Sequence, residues 1–236
     1  MSRRPAITAL LCMTGLAPLV GACATTTAGT AMPAAAPTTA TAENLGNLLL
    51  PAADVSAALS AKNMVVTRDV TALWFDSTHV AEGVGCLAVG GAAQRGVYAD
   101  SGWTAVHGQV LRDPPTTPLW SQFATQAVVL FESERAAGDF FTRSRDVWAS
   151  CSDRELTYEQ QLAPAQQWSI GPVGVDGGVL TVAREQRSPE RWSCQRALAV
   201  QGQVVVDVEA CALDSPNPTT AATSLARSIA DRIGPA

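Results

Sequence analysis

The sequence has little charge, almost no lysine and few histidines. Charged residues make up 16% of its 236 positions, against about 25% in an average soluble domain. Lys62 is the only lysine beside fifteen arginines, a bias that, with so much Ala and Val, fits a GC-rich genome rather than a mechanism. No basic cluster exists beyond Arg3-Arg4, and the net charge is −5. That argues against a nucleic-acid partner, because neutralising phosphates takes clustered cations. His79 and His107 are the only histidines and leave little for metal chemistry or a proton relay; each is expected as a solvated or hydrogen-bonded imidazole. There is no Gly-x-Ser-x-Gly elbow, and no Gly-rich loop with a strand lysine, HRD or DFG segment of a kinase. Residues 83–88 match G-x-G-x-x-A, but the stretch before them is a poor strand, so they read as a turn and helix start. No cofactor, metal or catalytic residue is expected.

What is present begins with an address. Arg3-Arg4 precede an apolar run over residues 6–20, too short for a membrane span of about 20 residues. Val20-Gly21-Ala22-Cys23 follows and resembles a bacterial lipobox. It implies cleavage before Cys23 and a diacylglycerol thioether on it. Residues 1–22 are then a lipoprotein signal peptide. Residues 23–43 are the lipidated cysteine and a Thr/Ala/Pro-rich tether, too poor in apolar side chains to order itself. Residues 44–236 are the domain. Removing residues 1–22 takes away two arginines and no acids, so the mature charge is −7. The expected location is the extracytoplasmic face of the cell membrane, held by lipid rather than by charge.

Four cysteines remain in the domain: Cys86, Cys151, Cys194 and Cys211. An even number in an exported chain implies disulfides, with three connectivities open. None of these cysteines has C-x₂-C spacing, which argues against zinc. Two β-rich runs flank Gly202-Gln203, a pair suited to a two-residue II′ turn. In that register Cys194 sits opposite Cys211 in a non-hydrogen-bonded pair, where Cα atoms approach to about 4.5 Å. Cys86 is then left for Cys151.

Ser133 is placed to cap a helix over residues 134–150, whose apolar residues recur at helical spacing with Trp148 on the core face. Arg143, Arg145 and Arg154 near its end suit its dipole. A second helix is expected after Asn217-Pro218, through Ile233, and a shorter one from Pro51. Strands are expected over residues 64–67, 103–111, 123–131, 156–161, 179–184, 192–200 and 204–210. Asp207 and Glu209 share a strand face with Val205 and are expected to face solvent. Trp74, Trp103, Trp120, Trp168 and Trp192 lie near strand or loop ends, where amphipathic rings can line a cleft; most are expected as ordinary core or rim, with one or two in a cleft. The pattern predicts a single α+β domain with helices packed on an antiparallel sheet.

The order of these features is recognisable. LLLPAADVSAAL opens the domain, Cys86 precedes a Y-x₂-SGWTAV segment, a QAVVLF strand runs into the Ser133 helix, and that helix ends W-x₂-C. The Cys194–Cys211 hairpin and a C-terminal helix follow. Residues 44–236 resemble the PknH-type extracellular sensor domain of mycobacterial Ser/Thr kinases, which also occurs on free-standing mycobacterial lipoproteins. The resemblance implies the pairs Cys86–Cys151 and Cys194–Cys211 and a large cleft for an unknown ligand. Tyr98, Trp103, His107 and Gln126 are the candidates for lining it. The expected function is a monomeric, membrane-anchored sensor or binding domain without catalysis. Its partner would be a small or lipidic ligand, or an envelope protein. The alternatives are an envelope hydrolase with an unrecognised site, or a structural or adhesive envelope protein.

Overall fold

The computed structural model describes residues 38–74, 79–80, 84–114, 120–159, 164–187, 191–214 and 220–234. Cys23, the signal and most of the tether lie outside them, as does the Asn217-Pro218 start of the last helix.

The organising unit is the hairpin of β9 (Trp192–Gln201) and β10 (Val204–Leu213). Gly202 takes φ +56°, the left-handed value that a tight turn of right-twisted strands needs at its first central position. Register follows from the turn: Val204 pairs with Gln201 and Cys211 with Cys194. The latter two form a disulfide with Cα atoms 4.1 Å apart.

The other strands are β1 (Val65–Val70), β2 (His79–Val80), β3 (Trp103–Arg112), β4 (Gln122–Phe131), β5 (Glu155–Glu159), β6 (Gln166–Ile170), β7 (Gly174–Asp176) and β8 (Val179–Gln186). They join the hairpin in one ten-stranded antiparallel sheet, ordered β1-β3-β4-β10-β9-β8-β6-β5-β2, with β7 beside β8. The helices are α1 (Ala52–Leu59), α2 (Arg95–Tyr98), α3 (Glu134–Ser150) and α4 (Ala221–Ala230). Ser133 caps α3, its hydroxyl accepting from the Ala136 N–H at 3.2 Å. The α+β class holds, with helices packed on an antiparallel sheet and both disulfides formed. Strands β2, β6 and β7 and helix α2 are too short or too polar for periodicity to reveal. Among the described residues, no helix is long and apolar enough to cross a membrane.

Both faces of the sheet are covered, and this decides the site. One face carries Val204, Val206, Val208 and Ala210 against α1, α4 and a leucine-rich turn, Leu45–Leu48. The other carries Val205, Cys194, Cys211, Leu198 and Val182 beneath α3 and the segment 84–98. Cys86 in that segment is tied to Cys151 at the end of α3 across 65 residues.

The chain is already packed at Thr38. Its N–H donates to the Arg232 carbonyl at 3.0 Å and its carbonyl accepts from Gly234 N–H at 2.8 Å, and Ala40 is buried. The domain therefore takes in residues 38–43, which composition alone assigns to the tether. Backbone pairing of Thr38 with Arg232 and Gly234 and burial of Ala40 in the core hold them.

A cleft beside buried ion pairs

Asp207 and Glu209 do not face solvent. Both are buried, at 2% and 5% exposure, because α3 and the segment 84–98 cover the face that alternation alone leaves open. A carboxylate buried there needs a partner, and β9 and β8 supply one each.

Arg196 meets Asp207 at 2.5 Å. Its other guanidinium hydrogens go to the carbonyls of Val208, Ala88 and Gly91, and its plane lies 5.0 Å from the Trp148 ring. The second Asp207 oxygen accepts from Ala93 N–H at 2.8 Å and from the Tyr98 hydroxyl at 2.9 Å. This pair clamps the segment 84–98 onto the sheet.

Burial first, and then the adjacent Asp207 carboxylate, push the Tyr98 phenol well above its usual value of 10.0. A raised acid pKa means that the stability it contributes is present below about pH 10 and is lost above it, as the unfolded chain ionises first. We expect alkaline titration to show Tyr98 tyrosinate absorbance only together with unfolding, and Tyr98→Phe to remove that absorbance component. Titration of Tyr98 in the folded chain near pH 10 would refute the clamp.

Arg184 pairs with Glu209 in direct contact, and its guanidinium lies 4.1 Å from the Trp168 ring. This pair borders a cavity of about 370 Å³. Trp120, Phe123 and Trp192 form one wall, with Trp120 and Trp192 centroids 4.9 Å apart. Tyr158 on β5, Gln166 and Trp168 on β6 and Gln186 on β8 also line it, and Gly90, Gly91 and Gln94 come from the segment 84–98. Glycine at position 90 is required there, since a Cβ would fall 2.5 Å from the Tyr158 ring. A second cavity of about 210 Å³ shares Gln94, Trp120, Phe123 and Glu209 and reaches Arg68, Trp74 and Arg112. Arg68 stacks over Trp74 and Arg112 over Trp120, at 4.9 and 4.5 Å.

Four buried side-chain atoms have no hydrogen-bond partner among the described residues: Gln94 Oε1, Arg112 Nε, Arg184 Nε and Gln186 Oε1. All four belong to residues lining these two cavities. Native proteins rarely leave such atoms orphaned, and here the orphans share one place. Cys194, Glu209 and Cys211 also cluster, but both sulfurs are in the disulfide and Glu209 is held by Arg184, so the cluster offers a metal no thiolate.

None of Tyr98, Trp103, His107 and Gln126 lines either cavity. Tyr98 lies on the cleft face but under α3, stacked on Phe140 at 4.4 Å. Trp103, at the start of β3, is 37% exposed. His107 and Gln126 project from the opposite face, because strand alternation groups them with Val128 and Leu111 rather than with Thr125 and Phe123. Gln126 there exchanges two hydrogen bonds with the Leu50 backbone, at 2.8 and 3.0 Å. His107 contacts Asp69 at 2.7 Å. Gln109 donates to the same carboxylate and, with His107, holds it below the usual range. More tryptophans than the expected one or two reach the cavities: Trp120, Trp168 and Trp192 line the larger one, and Trp74 with Trp120 the smaller. Sequence reasoning missed Arg184, Gln186, Gln94 and Glu209. The legible signal was two carboxylates in an otherwise apolar strand, with one arginine in each of the two strands that precede it in the chain.

The PknH-like extracellular domain matches residues 40–232. The chain belongs to that family. Over 192 residues it is 31% identical to the serine/threonine-protein kinases PknH of Mycobacterium bovis and Mycobacterium tuberculosis. The alignment takes up 81% of this chain but only 31% and 29% of those proteins; the chain spans about three-tenths of their length, and the kinase activity in their name is theirs. The crystal structure of the extracellular domain of PknH from M. tuberculosis superposes with a TM-score of 0.75 at 29% identity, covering 83% of this chain and 97% of that one. Residues 40–232 are thus a PknH-like domain of the extracellular type.

Proposed function

We propose that this PknH-like domain is a lipid-anchored, non-catalytic binding module of a mycobacterial envelope. In this reading Cys23 carries the lipid, residues 24–37 are the tether, and the cleft over Arg184 and Glu209 holds a small ligand. One observation carries the binding part: the orphaned polar atoms of Gln94, Arg112, Arg184 and Gln186 gather around a cavity walled by aromatic rings. These atoms have almost no accessible surface as the side chains stand, and a turn of the side chains toward a ligand would recover hydrogen bonds that the fold leaves unmade. The described lining of the larger cavity has no Ser, Thr, Cys, His or Lys, and its one carboxylate is engaged by Arg184, which favours binding over hydrolysis.

Native mass spectrometry of the full chain, purified from its own envelope in detergent, tests both parts. We expect a protein mass lacking residues 1–22 and carrying diacylglycerol on Cys23. We also expect a non-covalent adduct that disappears in Trp192→Ala. Acylation that persists in Cys23→Ala would overturn the anchor, and an adduct indifferent to Trp192→Ala would overturn the cleft.

A further inference from the structure

The larger cavity has a chemistry of its own, and three features narrow what it takes. The first is charge. Its only charged lining residues among those described are Arg184 and Glu209, which are in contact and cancel. An anion seeking Arg184 would also face the Glu209 carboxylate in contact with it.

The second is hydrogen bonding. Arg184 Nε can only donate, whereas Gln94 Oε1 and Gln186 Oε1 can only accept. Arg184 and Gln186 are more than nine-tenths buried, so their orphaned atoms cannot turn freely to bulk water. An acyl chain would seal all of these groups without a partner. A hydroxyl satisfies either kind, being donor and acceptor at once.

The third is shape. The walls carry rings from Trp120, Phe123, Trp192, Tyr158 and Trp168, with Leu87 the only long aliphatic side chain in the described lining. A cavity of about 370 Å³ has room for roughly twelve waters, or about twelve heavy atoms of a ring of hexose size. A small ring with an apolar face and a polar rim can rest that face on such rings; a folded partner does not fit the volume.

We infer that the Arg184–Glu209 cleft binds a neutral saccharide ring, its C–H face against the Trp120–Trp192 wall and its hydroxyls on Gln94, Arg184 and Gln186. This rests on the binding reading above and names the ligand's class. The smaller cavity, which shares Trp120 and Glu209, leaves room for a second sugar unit. Cleavage is not part of the proposal, since glycoside hydrolysis takes a pair of carboxylates across the bond and the described lining of the two cavities holds only Glu209.

The test uses the full chain in detergent on an array of neutral and acidic oligosaccharides, with sodium palmitate titrated separately. Hits are quantified by tryptophan fluorescence, for which Trp120, Trp168 and Trp192 are built-in reporters. We expect neutral saccharides to bind, and Gln186→Ala and Trp192→Ala each to weaken them at least tenfold. Trp103→Ala, outside the cleft, should leave binding within twofold. If neutral spots stay blank, the saccharide class is wrong. If palmitate or acidic sugars bind instead and are lost in Trp192→Ala, the class falls while the cleft reading stands. If neutral sugars bind but ignore both cleft variants, the assigned site is wrong.

Discussion

Asp207→Ala should destabilise the domain by about 3–5 kcal/mol, the usual effect of stripping one partner from a buried ion pair. The reason is asymmetry. The intact Arg196–Asp207 pair has a small net worth, because taking two charges out of water offsets most of their attraction. Removing Asp207 leaves Arg196, at 2% exposure, charged with no counter-ion. It also removes the acceptor for the Tyr98 hydroxyl and the Ala93 N–H. In a domain of this size we expect the melting temperature to fall by roughly 10 °C, followed by circular dichroism. The double variant Arg196→Met/Asp207→Leu should recover most of that loss, since neither charge is then stranded. A double variant as unstable as the single one would show that packing, not charge, is the larger effect.

Replacing Cys86 and Cys151 together by alanine is the second large effect. Chain entropy assigns about 4 kcal/mol to a bridge spanning 65 residues. The same reasoning assigns about 3 kcal/mol to Cys194–Cys211, separated by 17. That bridge joins strands which already close the loop through a ladder of hydrogen bonds, so its removal should lower stability less. The Cys86 bridge also has a functional side. It ties the segment 84–98 to α3, and the Tyr158 hydroxyl donates to the Cys86 carbonyl at 3.3 Å. Gly90, Gly91 and Gln94 of that segment edge the cleft. Urea unfolding should rank the Cys86/Cys151 variant below the Cys194/Cys211 variant, and cleft ligand should bind the former more weakly. The reverse order would mean that the segment is held chiefly by the Arg196 clamp.

Local and pairwise information was legible in the chain. Ser133 and the apolar period place α3 to the residue. The Gly202-Gln203 turn sets the β9–β10 register, because strand pairing beyond a two-residue turn has no freedom without a bulge. Cys194 opposite Cys211 is then arithmetic. The ring-rich cleft was legible in part, since tryptophans at strand ends have few other uses than core or rim.

The cleft's polar residues were not legible, for a physical reason. Alternation along a strand says which residues share a face but not which face is covered. β10 reads as apolar-in and charged-out only if one side is wet. Here α3 and a segment carrying a distant disulfide cover that side, so Asp207 and Glu209 became buried ion-pair partners rather than surface charges. The same alternation sends His107 and Gln126 to the other face, where Gln126 fastens the Leu50 backbone and His107 meets Asp69. From sequence alone came the family, the helices and strands of ordinary length, and a disulfide register; the choice of which side chains meet across 60 or 100 residues belonged to tertiary packing. Nothing short of two layers closing on one sheet could bring Arg184, Glu209 and Gln94 to a single cavity.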